Sequence, residues 1–205
     1  MKSEKKILWN LFHPAIESSI GSKALLDEVI SLENVMLVNH YEEYPDMKIY
    51  IQGEQSRLID YDLIVFQFPL CWYSVPALMK KWMDEVLERG FAYPPKEGRA
   101  LHGKSWLSVL TTAGPEWSYQ SGSYNNFSIS ELLKPLQQTA YMCGMKWVKP
   151  FVVYNVLPKE NISAIKDIEL KNKALELRNF IENYNLKTSI KTLGPTISPY
   201  FLDVD

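Results

Sequence analysis

The chain is short of nearly everything that marks a specialised sequence class. Among its 205 residues only two are cysteines, Cys71 and Cys143, and they lack CxxC spacing. That excludes a disulfide framework at this length and predicts two reduced thiols in a cytoplasmic protein. Its three histidines are scattered, with no H-E-x-x-H and no cysteine cluster, so no metal is expected. Neither sign of charge prevails: the formal net charge is −2, which argues against nucleic acid or an anionic membrane as partner. No apolar run approaches the length of a membrane span. The opening MKSEKKILWN carries charge without the apolar stretch of a signal peptide. GxGxxG, GK[ST] and GxSxG are all missing, which removes the dinucleotide fingerprint, the P-loop and the nucleophile elbow. Internal repeats, low-complexity tracts and linkers are missing too.

What is plentiful is aromatic surface: 6 Trp, 12 Tyr and 8 Phe. A large core accounts for many of these rings. A surface that stacks on planar ligands, or buries itself in a partner, accounts for the same counts. The length suits one domain over 1–205 with a substantial core. From about residue 185 the helical period is lost and Pro195 and Pro199 appear, which predicts an irregular tail lying on the surface or on a partner subunit.

Short apolar runs alternate with segments of helical period. Strands are predicted over 7–12, 35–39, 63–68, 106–111 and 151–154. The run Leu63-Ile64-Val65-Phe66 has no polar alternation, as expected of a parallel strand covered on both faces. Val75, Leu78, Met79, Trp82, Met83, Val86 and Leu87 form one wide apolar helix face. Pro76 suits its first turn and Gly90 its stop. Leu25, Val29 and Leu32 mark a helix after the first strand. A weaker pattern covers 49–59. Leu136, Ala140 and Cys143 mark a helix that Pro135 starts or kinks and Gly144 ends. Leu170, Ala174, Leu177, Ile181 and Tyr184 mark a long last helix. Five strand–helix alternations imply right-handed crossovers and an α/β, doubly wound parallel sheet with helices on both faces.

In such a sheet ligands bind beyond the carboxyl ends of the strands. Three segments fall there. Residues 13–22, HPAIESSIGS, offer hydroxyls and helix N-terminal N–H groups suited to an anion; plain N-capping by serine accounts for the same pattern. His13 equally suits a hydrogen-bonded core position. Residues 68–76, FPLCWYSVP, make a stiff, flat-faced loop suited to a planar ring, although Trp72 and Tyr73 also suit covering the sheet edge. Residues 111–124, TTAGPEWSYQSGSY, hold small residues that let a ligand approach the backbone; a surface loop has the same composition. Cys71 lies within the candidate site without an evident partner histidine, so a thiolate nucleophile is not expected.

On these three loops the chain resembles the flavodoxin-like NAD(P)H:quinone oxidoreductases, in particular the bacterial branch with the ancillary flavoproteins of glutathione-gated potassium efflux. The resemblance runs from about residue 7 to 154. Its most specific stretch is FPLCWYSVPALMKKWMDEVLERGFAY, followed by LHGK and TTAG. It implies a flavodoxin-like five-stranded sheet of order 2-1-3-4-5, FMN (or FAD) as cofactor and NAD(P)H as co-substrate. It also implies a quinone-like acceptor and a homodimer whose sites lie at the subunit interface. His13, Ser19 and Ile20 match the phosphate-side loop. Pro69, Leu70, Cys71, Trp72 and Tyr73 match the loop along the isoalloxazine ring. Thr111, Thr112, Ala113 and Gly114 match the next loop, and Tyr119 its site tyrosine. Ser22 stands where the family often has asparagine, Cys71 where glutamine is frequent and Ala113 for the first glycine of TTGG; Tyr124 falls near a family histidine. The implied reaction is a two-electron, ping-pong hydride transfer in which Tyr119 and Tyr124 position the acceptor or supply a proton. A regulatory flavoprotein that docks on a potassium-efflux membrane transporter is the alternative.

Overall fold

The computed structural model describes residues 5–94, 98–157 and 165–184. The predicted tail from about 185 lies outside the described residues. In chain order the elements are β1 (Ile7–Leu11), α1 (Ile20–Val29), β2 (Val35–Asn39), α2 (His40–Glu43), α3 (Ile51–Ile59), β3 (Leu63–Pro69), α4 (Ala77–Val86), β4 (Ser105–Thr111), α5 (Ile129–Leu132), α6 (Lys134–Met142), β5 (Lys146–Trp147), β6 (Phe151–Val153) and α7 (Asp167–Glu182). The sheet runs β2-β1-β3-β4-β5, with β6 also pairing β4, and the pairings are parallel. This is the flavodoxin-like order 2-1-3-4-5.

Alternate residues of each strand supply two separate cores. Leu8, Ile64, Phe66, Phe68, Trp106 and Leu110 face α3, α4 and α6. Ile7, Trp9, Leu11, Leu63, Val65, Leu107 and Val109 face α1 and α7. Both faces are therefore apolar, which is why β3 reads as a continuous hydrophobic run from Leu63 to Phe66. With most of both faces covered, the carboxyl ends of the strands are where such a sheet binds ligands.

Four sequence expectations are corrected. The fifth strand is two short pieces, β5 and β6, because Pro150 between them has no N–H to give to β4; Val148 N–H still donates to Trp106 O at 2.9 Å. Pro76 is the N-cap of α4, one residue before its first turn. The same helix turns out of its path at Leu87, ahead of Gly90, whose φ of +93° serves the following turn. Leu32 lies beyond α1, held by a turn in which its N–H donates to Val29 O at 3.1 Å. Gly144 does end α6, at φ +68°, and Pro135 sits in that helix's first turn.

A buried polar cluster lies on the α3–α4 side. The ring of His40 stacks on Phe12 with centroids 4.1 Å apart. Its Nε2 bonds Asn10 Oδ1 at 2.9 Å, while Nδ1 has no hydrogen-bond partner. Glu54 Oε2 is 4.0 Å from that Nδ1. The same carboxylate accepts from Tyr44 OH and from Trp82 Nε1, each at 2.8 Å, and pairs with Arg57. Arg57 in turn pairs with Glu43 at 2.9 Å. Burial, reinforced by the Arg57 charge, lowers the His40 pKa to about 3. Burial also raises the Glu54 carboxyl above its ordinary range.

His40 is thus neutral in the fold and free to protonate in the unfolded chain below about pH 6.5. Between that pH and about 3 the unfolded state binds the extra proton, so stability falls as pH falls. The slope from this group approaches roughly 1.4 kcal/mol per pH unit. Glu54, whose folded form holds its proton more firmly, acts in the opposite sense from about pH 4.5 upward. Urea unfolding of wild type and His40→Phe between pH 7 and 5 checks this: the wild type should lose stability over that window and the variant should lose much less.

Candidate functional site

Under the carboxyl ends of the strands runs a buried polar chain. Trp9 Nε1 of β1 donates to Gln67 Oε1 of β3 at 2.7 Å. Gln67 Nε2 donates to Ser22 O in the first turn of α1 at 2.7 Å. Ser22 Oγ lies 3.2 Å from Thr111 Oγ1, at the end of β4. Backbone bonds repeat the tie: Phe12 N–H to Gln67 O at 2.8 Å and Leu70 N–H to Thr111 O at 2.9 Å. The three loops predicted from sequence spring from elements joined by these bonds.

In the first loop a short 3-10 turn, Ile16–Ser18, brings the chain to Ser19. Ser19 is the N-cap of α1, its Oγ accepting from Ser22 N–H at 3.3 Å. The capping role is therefore real. It also leaves the N–H groups of Ile20 and Gly21 at the helix start without intrahelical acceptors. His13 is half-buried, and its Nδ1 accepts from Ala15 N–H at 3.1 Å. Burial lowers its pKa, so at neutral pH the ring carries its proton on Nε2 and can donate there. Gly21 is required by crowding, since a Cβ there would come within 2.5 Å of Val156 Cγ1.

The second loop is a tight turn held at both ends. Cys71 N–H donates to Ser74 O at 3.0 Å and Ser74 N–H to Cys71 O at 2.9 Å. Its central residues, Trp72 and Tyr73, have φ of +47° and +63°. That is the type I′ geometry, which normally selects glycine or asparagine. Two large aromatic residues in it store roughly 1–3 kcal/mol each. The turn spends neither central N–H on itself, and it leaves Trp72 94% exposed. Cys71 is half-buried and free, with burial raising its thiol pKa, so it is not poised as a nucleophile.

The third loop folds back on itself. Thr112 Oγ1 donates to Gly114 O at 2.9 Å. Ser118 Oγ donates to Pro115 O at 2.7 Å, and Asn125 Nδ2 donates to that Ser118 Oγ at 2.7 Å. A Cβ on Gly114 would stand 3.1 Å from Tyr119 OH, so the tyrosine hydroxyl rests against the bare backbone. Its ring packs on Tyr154 with centroids 5.9 Å apart. Tyr124 is different: it is 83% exposed at the surface of the loop. The two tyrosines paired by sequence therefore occupy unlike settings. Ala113 is exposed, Thr111 and Thr112 are buried, and Pro69 and Leu70 are half-buried.

Sequence reasoning missed Gln67, Ser118 and Asn125. The signal for Gln67 was present: one polar residue inside an otherwise apolar parallel strand needs a partner. A cleft of about 520 Å³ between β6 and α7, lined by Lys149, Phe151, Tyr154, Lys173 and Phe180 among others, reaches Glu116 of the third loop but holds none of the individual residues assigned to the cofactor or the chemistry. Among the described residues no group of three or more His, Cys, Asp or Glu is placed to hold a metal. No helix among them is long and apolar enough to cross a membrane.

Residues 5–176 match a protein family described by its flavodoxin-like fold. YdeQ of Bacillus subtilis, an uncharacterized NAD(P)H oxidoreductase, is 40% identical over 186 residues, 91% of each chain. KefG of Yersinia enterocolitica, an ancillary protein of the glutathione-regulated potassium-efflux system, is 44% identical over 154 residues, 75% of this chain and 83% of its own. The crystal structure of general stress protein 14 from Treponema denticola, in complex with FMN, superposes with a TM-score of 0.78 at 29% identity. That match covers 86% of this chain and 98% of the other.

Two substitutions test the geometry. Gln67→Leu keeps the volume but strands the Trp9 indole N–H and the Ser22 carbonyl, and should cost about 2–4 kcal/mol in urea unfolding. Trp72→Asn removes an exposed ring and places a residue tolerant of positive φ in the turn. It should raise stability by roughly 0.5–1 kcal/mol, read from the same denaturation curves, while impairing whatever the ring does.

Proposed function

The chain belongs to the flavodoxin-like fold family, and on that premise we propose that it is an FMN-dependent NAD(P)H:quinone oxidoreductase. The observation that carries this reading is the cradle of three loops tied to one another by the Trp9–Gln67–Ser22–Thr111 chain. When bound, FMN supplies a two-electron carrier that takes hydride from NAD(P)H and passes it to a quinone-like acceptor. The residues present fit that group. The start of α1 and the neutral His13, whose Nε2–H is free to donate, suit its phosphate, with Ser19 and Ile20 beside them. Pro69, Leu70, Cys71, Trp72 and Tyr73 form a wall along a flat ring, and Thr111, Thr112, Ala113 and Gly114 form the next. The unspent N–H groups of the Trp72–Tyr73 turn suit stabilising negative charge on that ring. Tyr119, with its hydroxyl held against Gly114, orients the acceptor and can donate a proton; Tyr124 borders the same loop.

The exposed aromatics Trp72, Tyr124 and Trp117, the last 65% exposed, support a homodimer in which a second copy covers this surface. The two free thiols fit a cytoplasmic location. Similarity to KefG supports a second reading, in which the flavoprotein also docks on a potassium-efflux membrane transporter. Co-purification with such a transporter is its test.

Protein mixed with FMN and desalted should keep the flavin absorption bands, and NADPH added without oxygen should bleach them. Loss of all flavin on desalting, with FMN and then with FAD, overturns the reductase reading. Tyr119→Phe should lower turnover with a quinone by about 100-fold or more, in line with the loss of a positioned proton donor. Unchanged turnover in both Tyr119→Phe and Tyr124→Phe removes these tyrosines from the chemistry.

A further inference from the structure

Asn125 is buried, belongs to neither the ring-side turn nor the phosphate-side loop, and holds two of the three loops together. Its backbone N–H donates to Ser118 O at 2.9 Å and its Nδ2 to Ser118 Oγ at 2.7 Å. Its Oδ1 accepts from Tyr73 OH at 3.3 Å. Ser118 Oγ passes its own proton on to Pro115 O at 2.7 Å. The chain of donors thus has one direction, from Tyr73 through Asn125 and Ser118 to the Pro115 carbonyl. It needs a side chain that accepts on one side and donates on the other, which an amide does and a carboxylate does not.

The two parts it joins are those whose spacing matters most. One end is the strained turn, where Tyr73 sits at φ +63°. The other end is the loop that sets Tyr119 against Gly114. At the base of the loops the Leu70–Thr111 bond fixes the strand ends. Beyond it, Tyr73–Asn125 joins the two loops near their tips.

We propose that Asn125 is a positioning residue that sets the width of the slot between the Trp72–Tyr73 turn and the Tyr119 loop, and thereby selects flat, ring-shaped acceptors. This rests on the oxidoreductase reading. Asn125 acts through Tyr73 and Ser118 rather than on the acceptor itself. Removing the tie lets the slot vary in width, so fewer molecules are in the conformation that accepts a ring, and the apparent affinity drops by that fraction. The start of α1 and His13, which would hold the flavin phosphate, lie on a different loop from the residues changed.

The test compares wild type, Asn125→Ala, Tyr73→Phe and the double variant, each loaded with FMN, using NADPH and 1,4-naphthoquinone. Tyr73→Phe keeps the ring and removes only the hydroxyl, so it carries the test even where Asn125→Ala does not fold. The quinone KM should rise about 3- to 10-fold in Tyr73→Phe, the range expected from one lost hydrogen bond, and at least as much in Asn125→Ala, which also loses the bond to Ser118 Oγ. In Asn125→Ala, whose side chain is proposed to touch neither flavin nor acceptor, kcat and FMN retention should stay within about twofold, and the double variant should be no worse than the weaker single variant if the two groups act as one unit. Asn125→Asp should resemble Asn125→Ala. An unchanged quinone KM in Tyr73→Phe, or single-variant effects that multiply in the double, overturns the assignment while leaving the reductase reading intact. A wild type that keeps no flavin and oxidises no NADPH overturns the reductase reading, and this assignment with it.

Discussion

The Gln67 side chain is the interaction on which the mouth of this fold depends. It stands 1% exposed in a strand otherwise built of apolar residues, and it satisfies both of its ends. The carbonyl receives the Trp9 indole and the amide reaches the backbone of α1. A buried amide left unpaired is costly, so this one fixes where α1 begins relative to β1 and β3. Ser22, placed by that contact, then meets Thr111. Loop positions at all three strand ends follow from one buried side chain and its neighbours.

Polar groups serve two different purposes in this molecule. The cluster of His40, Glu54, Tyr44, Trp82 and Arg57 sits within the core on the α3–α4 side. It binds α2, α3 and α4 to one another and leaves His40 Nδ1 without a hydrogen-bond partner. Its shifted titration bears on acid stability, because His40 and Glu54 are both fully buried. The groups at the mouth are less shifted but better placed: a helix start, a neutral histidine and N–H groups not used by the turn. Strong perturbation of a pKa is a weaker guide to function here than position in the fold.

The Trp72–Tyr73 turn shows the reverse trade. A glycine or asparagine would relax it, and the aromatic pair holds a conformation that large residues avoid. What the strain provides is an aromatic surface beside two N–H groups that the turn does not use, set at the end of β3. A site that must hold a ring and meet charge on it gains from having both fixed in advance. The cost is met by the rigid sheet beneath, which buries β3 from Leu63 to Phe68.

The periodicities of the chain determined the sheet and its helices. The apolar run 63–66 without alternation favours a strand covered on both sides, and the 75–87 pattern marks an amphipathic helix. The broken fifth strand was also written in the sequence, at Pro150, since a proline without an N–H cannot continue the ladder. The motif resemblance placed Trp72 and Tyr119 on loops at the strand ends. Three matters belonged to tertiary structure alone. The left-handed turn at Trp72–Tyr73 contradicts local preference and exists because the Cys71–Ser74 bonds close it. Tyr119 and Tyr124, alike in sequence, differ because one finds Gly114 and Tyr154 to pack on and the other finds solvent. Asn125 could not be read at all from its neighbours, because its partners, Ser118 and Tyr73, lie 7 and 52 residues away. Local sequence encodes period and capping, whereas a hydrogen bond across loops exists only once the sheet has brought their ends together.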